Sequence, residues 1–272
     1  DISNLKKLST VLKKKLFDHV VNLGGYINHS SFSKDGDRVF DVHFMGMYNL
    51  VRCTNHRELK SFIQIGSSDE YGSNTAPQNE NQREFPISPY SSAKTAAAYF
   101  LQMLSRTENF PAATLRLFLT YGPGQDKKRF IPSIIDGCLK HSKFPVSLGQ
   151  QIRDFCYVED TVEAILATLL SDNSNGQIFN VGFKNQSVNE LASDVKEVVG
   201  DDIKIVNIKS NDNRSYHVSS EKIRKILGFY TKYTVKDAVS DLKNAFEKKL
   251  LIKPLDNEYY FNIKRMKNLQ LK

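Results

Sequence analysis

The sequence predicts an α/β fold, an open and doubly wound parallel sheet joined to a smaller mixed α/β region. Three observations carry this. Helix-period and strand-like segments alternate from residue 5 to residue 119, the pattern of parallel strands linked by crossover helices. Short apolar runs end in glycine and small polar residues, as buried strands do where their carboxyl ends meet loops. Beyond Gly122 the alternation changes, with helical patterns at 131–139, 159–170 and 188–199 and short strands between them.

In order, residues 5–17 suit an amphipathic helix, 18–24 a strand, 38–56 a helix, 60–66 a strand, 90–108 a helix and 112–119 a strand. The strand at 60–66 is carried by Phe62, Ile63 and Ile65, and Gly66 marks its end. A closing helix is expected over 235–250, where Ala238, Leu242 and Phe246 recur at four-residue spacing. No internal repeat or low-complexity linker divides the chain. The expected organisation is a first domain over 1–122 and a second region over 123–272, some segments of which return to the first, with a cleft between them.

With 272 residues and 40% hydrophobic content, the chain can bury one large core or two modest ones. No apolar run approaches the roughly 20 residues that cross a bilayer, and the lysines at 6–7 and 13–15 do not flank a signal-peptide core. Cys53, Cys138 and Cys156 are too few and too scattered for a disulfide framework or a zinc site, so no metal is expected and a reducing cytoplasm is the simplest home. The net charge of +8 permits an anionic partner. Its lysines are dispersed and no nucleic-acid module is present, so nucleic acid is excluded and an anionic small molecule is favoured.

The most informative stretch is Pro89-Tyr90-Ser91-Ser92-Ala93-Lys94. Tyr90 and Lys94 stand four residues apart at the start of a helix and share one face. An ammonium beside a phenol favours the phenolate, which can trade a proton with an alcohol or a carbonyl. The same pattern also arises from a surface tyrosine beside a solvated lysine, so its meaning depends on its surroundings. Those begin one strand earlier, at Gly66-Ser67-Ser68-Asp69-Glu70-Tyr71-Gly72, on the carboxyl end of a parallel strand where ligands gather. Ser67 or Ser68 could hydrogen-bond a substrate oxygen there; ordinary turn chemistry is the competing reading.

Joined, these pieces resemble the extended short-chain dehydrogenase/reductase family, the NAD(P)-dependent epimerases, dehydratases and reductases of nucleotide sugars. Further fragments occur in the family's order. Residues 18–25 (DHVVNLGG) look like its strand ending His-Leu-Ala-Ala, and 115–124 (LRLFLTYGPG) like its Arg-x-Phe-Asn-x-Tyr-Gly-Pro segment. Residues 153–160 (RDFCYVED) look like Arg-Asp-Phe-x-Tyr-Val-x-Asp, and 179–182 (FNVG) like Phe-Asn-x-Gly.

The resemblance implies a Rossmann-like fold, a Ser-Tyr-Lys centre, NAD or NADP as cofactor, a nucleotide-diphosphate sugar as substrate and a homodimer. An ungapped match places Ser67 at the catalytic hydroxyl. Tyr90 is then the general acid/base, and Lys94 lowers its pKa while holding the nicotinamide ribose. The same match puts Asp69 where dehydratases keep a Glu base, and Ser68 at their acid position, which is half of a dehydratase signature. On the cofactor side the resemblance implies Asp1 and Ile2 beside the adenine, Gly24 and Gly25 near the nicotinamide, and Leu117. On the substrate side it implies Arg153 as the diphosphate ligand, with Arg214 and Arg129 as further contacts.

Departures from the pattern are also present. His43 stands where the family often has Asn, Gly24-Gly25 replaces Ala-Ala, and Leu119 replaces a substrate-contacting Asn. A Gly-x-x-Gly-x-x-Gly turn, which would hold the pyrophosphate, does not occur. The expectation is therefore an N-terminally truncated cofactor domain, short by roughly 50 to 60 residues or two βα units. A fragment of a longer enzyme is the favoured reading; the alternative is a non-catalytic binding or structural homologue that has lost its cofactor loop.

Overall fold

The computed structural model describes residues 1–13, 15–26, 31–122, 143–147, 150–200, 204–208, 217–250, 257 and 268. The expected helix at 131–139, and Cys138, Arg129 and Arg214, lie outside these residues.

Among the described residues, four strands build the main sheet: β1 (His19–Asn22), β2 (Ser61–Ser67), β3 (Ala112–Leu117) and β7 (Ile178–Val181), in the order β1-β2-β3-β7. Every pair is parallel, and the register sets Asn22 beside Gln64, Ser67 beside Leu117 and Leu117 beside Val181. All four carboxyl ends therefore open on one edge. Successive residues feed opposite faces: Phe62 packs with Met47, Leu101 and Phe110, whereas Ile63 packs with Leu115, Ala164 and Phe179. Both faces are buried, which explains why β2 reads as a nearly continuous apolar run.

One face is covered by a long helical stretch and by α4 (Pro89–Glu108). The stretch comprises α2 (Gly36–Phe40), a π turn over Asp41–Met45, and α3 (Gly46–Cys53). Its buried stripe is Val39, His43, Met47 and Val51. The other face is covered by α5 (Val158–Leu169) and α7 (Glu221–Leu227). The helix expected at 5–17 is shorter, α1 (Leu5–Leu12): Asn4 caps it, and Lys13 leaves helical geometry at ψ 128°.

The strand expected at 112–119 divides. Ala112–Leu117 stays in the main sheet, Phe118 turns into a small core with Tyr71 and Val218, and β4 (Leu119–Tyr121) joins a second sheet. There β4 runs parallel to β6 (Ile152–Tyr157), and β6 runs antiparallel to β8 (Lys184–Ser187). A further parallel pair joins β5 (Lys143–Ser147) to β9 (Lys204–Ile208). Tyr121, Phe155 and Tyr157 pack there against Leu191 of α6 (Val188–Val199) and Leu242 of α8 (Val235–Glu247).

Candidate active site

Helix α4 begins where its local sequence dictates. Pro89 occupies the first turn, and the Ser88 hydroxyl caps the helix by accepting the Ser91 N–H at 3.1 Å. From that start, Tyr90, Lys94, Ala97, Leu101 and Leu104 fall on one buried stripe. Lys94 is only 4% exposed, so it is a core position occupied by an ammonium. Its Nζ lies 5.8 Å from the centre of the Tyr90 ring and donates to the Ile65 carbonyl at 2.6 Å. Burial pulls the Lys94 pKa down to about 8, against the opposing influence of the Glu70 carboxylate.

The Ile65 carbonyl also accepts from Gln64 Nε2 at 3.0 Å, and Gln64 Oε1 accepts from Asn22 Nδ2 at 2.8 Å. Asn22 Oδ1 in turn accepts the Gly24 N–H at 3.0 Å. A hydrogen-bond chain thus runs along the sheet from Lys94 to Gly24. Both glycines after β1 sit at close approaches to neighbouring side chains. A Cβ on Gly24 would meet Ile2 Cδ1 at 2.6 Å, and one on Gly25 would meet His43 Cε1 at 3.0 Å. Ile2 is held here because Asn49 Nδ2 donates to the carbonyls of Ile2 and Ser3, each at 3.0 Å. Asp1 is exposed, and its carboxylate accepts from Ser3.

Ser67 ends β2 and caps a 3-10 turn over Ser68–Tyr71. Its hydroxyl accepts the Asp69 N–H at 3.2 Å, while its own N–H donates to Glu70 Oε1 at 2.8 Å. The turn chemistry expected from the sequence is therefore present, and it leaves the hydroxyl proton of Ser67 able to donate. Ser68 and Asp69 are half-buried on the same turn. Glu70 has no exposed surface; its second oxygen accepts Arg116 Nε at 2.8 Å. Arg116, equally buried, also donates to the Tyr71 hydroxyl at 3.0 Å and to Glu84. Burial works against the Arg116 cation, but Glu70, Tyr71 and Glu84 together hold its pKa above the usual value.

His43 stands behind Tyr90, its ring edge-on to the phenol with centroids 4.9 Å apart. Burial and the nearby Lys94 cation lower its pKa to about 3, so the imidazole is neutral at physiological pH.

Of the residues singled out from the sequence, Tyr90 and Lys94 share a face of α4, Lys94 is linked to Gly24 through Ile65, Gln64 and Asn22, and His43 stands against Tyr90 and beside the place of a Gly25 Cβ. Ser67, Ser68, Asp69 and Leu117 stand at the same sheet edge, and Ile2 closes it near Gly24. Arg153 lies on β6 of the second sheet, its Nη1 donating to the Ile152 carbonyl at 2.9 Å. Sequence reasoning passed over Glu70, although Ser67-x-x-Glu70 is a capping-box spacing. It also gave no role to Arg116, a charge amid the apolar run of β3. No group of metal-binding side chains occurs among the described residues, and Cys156 is buried with its thiol pushed up to about 12. No helix among them is long and apolar enough to cross a membrane.

A phenol, a buried ammonium and a serine hydroxyl are hydrogen-bonding groups suited to an alcohol and to ribose hydroxyls. The ammonium spends one of its three N–H donors on Ile65, so this donor set fits a ribose-bearing cofactor.

The chain is 28% identical over 217 residues to the human dTDP-D-glucose 4,6-dehydratase, covering 74% of this chain and 61% of that protein's length. The fold matches that of RMD from Pseudomonas aeruginosa, solved with NADPH, at a TM-score of 0.81 and 23% identity, covering 92% of this chain and 87% of that one. It also matches UDP-glucuronic acid 4-epimerase from Bacillus cereus, solved with UDP-glucuronic acid and NAD, at 0.79 and 24%, covering 92% and 80%. The model of the NAD dependent epimerase/dehydratase family matches residues 1–182, two thirds of the sequence; the chain belongs to that family.

Proposed function

We propose that the chain carries the proton-transfer machinery of an NAD(P)-dependent nucleotide-sugar oxidoreductase acting at sugar C4. One observation carries this reading: Lys94, on the Tyr90 face of α4, anchors its ammonium on Ile65, two residues before Ser67. In this reading phenol, ammonium and hydroxyl act together at that strand end.

In this reading Ser67 donates a hydrogen bond to the C4 oxygen, and Tyr90, as phenolate, takes the C4 hydroxyl proton. The bound cofactor supplies the hydride acceptor, and the sugar leaves this step as a 4-keto sugar. Lys94 keeps positive charge beside the phenolate and turns its remaining N–H donors to the cofactor ribose. Gly24, Gly25 and Leu117 line the nicotinamide side, and Asp1 and Ile2 the adenine side. Arg153 pairs with the substrate diphosphate, with Arg129 and Arg214 as further contacts.

The chemistry of the 4-keto sugar separates epimerase, 4,6-dehydratase and 4-keto reductase. Asp69 can remove a proton from C5, while Ser68, at the dehydratases' acid position, is a weak donor to the C6 hydroxyl. The names of the relatives support this reaction class: a dehydratase among the similar sequences and a 4-epimerase among the similar folds. A cytoplasmic homodimer accords with this reading.

The test is incubation of full-length protein and cofactor with UDP-, GDP-, CDP- and dTDP-sugars, read by mass spectrometry and chromatography. Loss of one water identifies dehydration, gain of two hydrogens reduction, and an isomer of unchanged mass epimerisation. No product from any sugar, in protein that binds NAD(P)H, would favour the non-catalytic homologue instead.

A further inference from the structure

We propose that His43 is a positioning residue for Tyr90, and that Gly25 is a glycine because His43 stands against it. The first half rests on the reading of Tyr90 as the acid/base. The second does not.

The imidazole is a wedge with contacts on three sides. It meets the Tyr90 ring at an interplanar angle of 85° and a centroid distance of 4.9 Å. On another side its Cε1 lies 3.0 Å from the place a Gly25 Cβ would take. On the third, Nε2 is fastened to the main chain of Tyr26, 3.2 Å from the N–H and 3.0 Å from the carbonyl oxygen. These last two bonds are alternatives: a bare Nε2 accepts from the N–H, and a protonated one donates to the carbonyl. Either tautomer keeps the ring in one plane, and that plane sets where the phenol can lie.

A purely structural filler would be a different residue. His43 is 2% exposed, and its Nδ1 has no hydrogen-bond partner among the described residues. A buried ring nitrogen in that state destabilises a core, and phenylalanine or leucine would fill the stripe of Val39, Met47 and Val51 without it. The segment also departs from α-helix at this point, since His43 is the middle residue of the π turn over Asp41–Met45. Single π turns inside helices recur at functional sites.

The His43 Cε1 stands 3.0 Å from the place of a Gly25 Cβ, closer than ordinary van der Waals contact, so an alanine at residue 25 presses on the ring and a smaller side chain at residue 43 relieves it.

The test compares His43→Asn, Gly25→Ala, the double variant and Tyr90→Phe in the full-length protein, assayed with NAD+ and either dTDP-glucose or UDP-glucuronic acid. His43→Asn should lower kcat about tenfold with KM within about twofold of the parent, because a displaced acid/base slows chemistry more than binding. Gly25→Ala should do the same, its methyl pressing the imidazole toward Tyr90. The double variant should be faster than either single, since the Asn leaves room for the methyl. Losses that multiply, or a loss confined to KM, overturn the proposal. Turnover retained by Tyr90→Phe sinks the acid/base reading and the positioning role with it, and is read separately. Thermal unfolding needs no substrate: Gly25→Ala should lower the Tm of the parent and leave that of His43→Asn unchanged. Equal shifts in the two backgrounds overturn the pairing.

Discussion

The ammonium of Lys94 and the carbonyl of Ile65 are 2.6 Å apart, which ties the first turns of α4 to the carboxyl end of β2. This bond fixes the depth at which the lysine sits. It also explains why a residue that is ordinarily solvated is buried here beside a tyrosine on the same helical face.

Tyr90→Phe removes the group assigned to move the proton and keeps the ring against His43. Turnover in the full-length protein should fall by at least about 10³-fold, within the range that loss of acid–base chemistry and its electrostatics produces. NAD(P)H binding, followed by cofactor fluorescence, should stay within about twofold of the parent. Turnover at the parental rate would remove Tyr90 from the mechanism.

The Lys94 pKa is lowered from its ordinary 10.5 to about 8 by burial, so the cation is lost as pH rises through about 8. If the cation supports the Tyr90 phenolate, kcat/KM should decline on the alkaline side with a midpoint near 8. Stability should move the other way. Between about 8 and 10.5 the unfolded chain binds the proton that the folded chain has released, so stability rises with pH across that window. Lys94→Met should abolish this rise in denaturant titrations; a rise that persists would assign it to another group.

Arg116 is enclosed by Glu70, Glu84 and Tyr71 with none of its surface exposed. Arg116→Met keeps much of the volume but leaves two carboxylates without their cation. Removing one partner of a buried pair costs about 3–5 kcal/mol, and urea unfolding at neutral pH should show a loss of that size. Because Glu70 also accepts the Ser67 N–H, turnover should fall too. A loss under about 1 kcal/mol would mean that the carboxylates find other partners or protons.

His43 has its pKa lowered from 6.5 to about 3, chiefly by burial and next by Lys94. The unfolded chain therefore takes up a proton at this residue before the folded chain does. The resulting stability is complete above about 6.5 and is lost as pH falls from there toward 3. Buried Asp154, whose pKa is raised to about 7, contributes with the opposite sign in the same range, so the comparison must be between the parent and His43→Asn. The parent should lose more stability than the variant between pH 6.5 and 4. Parallel pH profiles would show that burial does not lower the His43 pKa in the folded protein.

The alternation of elements, the buried run of β2 and the start of α4 are set by the sequence alone, because each depends on interactions a few residues long. Periodicity reports burial, Pro89 and Ser88 set a helix start, and glycine ends a strand. Tyr90 and Lys94 were legible for the same reason, since a four-residue spacing on a helix is local geometry. The motifs around Ser67, Tyr90 and Arg153 also carried the resemblance to the family that the comparison shows.

Other features depend on residues far apart in the chain, and only the tertiary structure decided them. Glu70 and Arg116 are 46 residues apart in sequence, and they meet because β2 and β3 are parallel neighbours in register. Asn22 reaches Gln64, and Gly25 meets His43, through pairings that no local pattern encodes. The division of the 112–119 segment between two sheets was likewise settled by where Phe118 finds its core. Local spacing names the candidate residues, while the sheet's register and the packing of its faces determine which of them touch and what burial does to their charges.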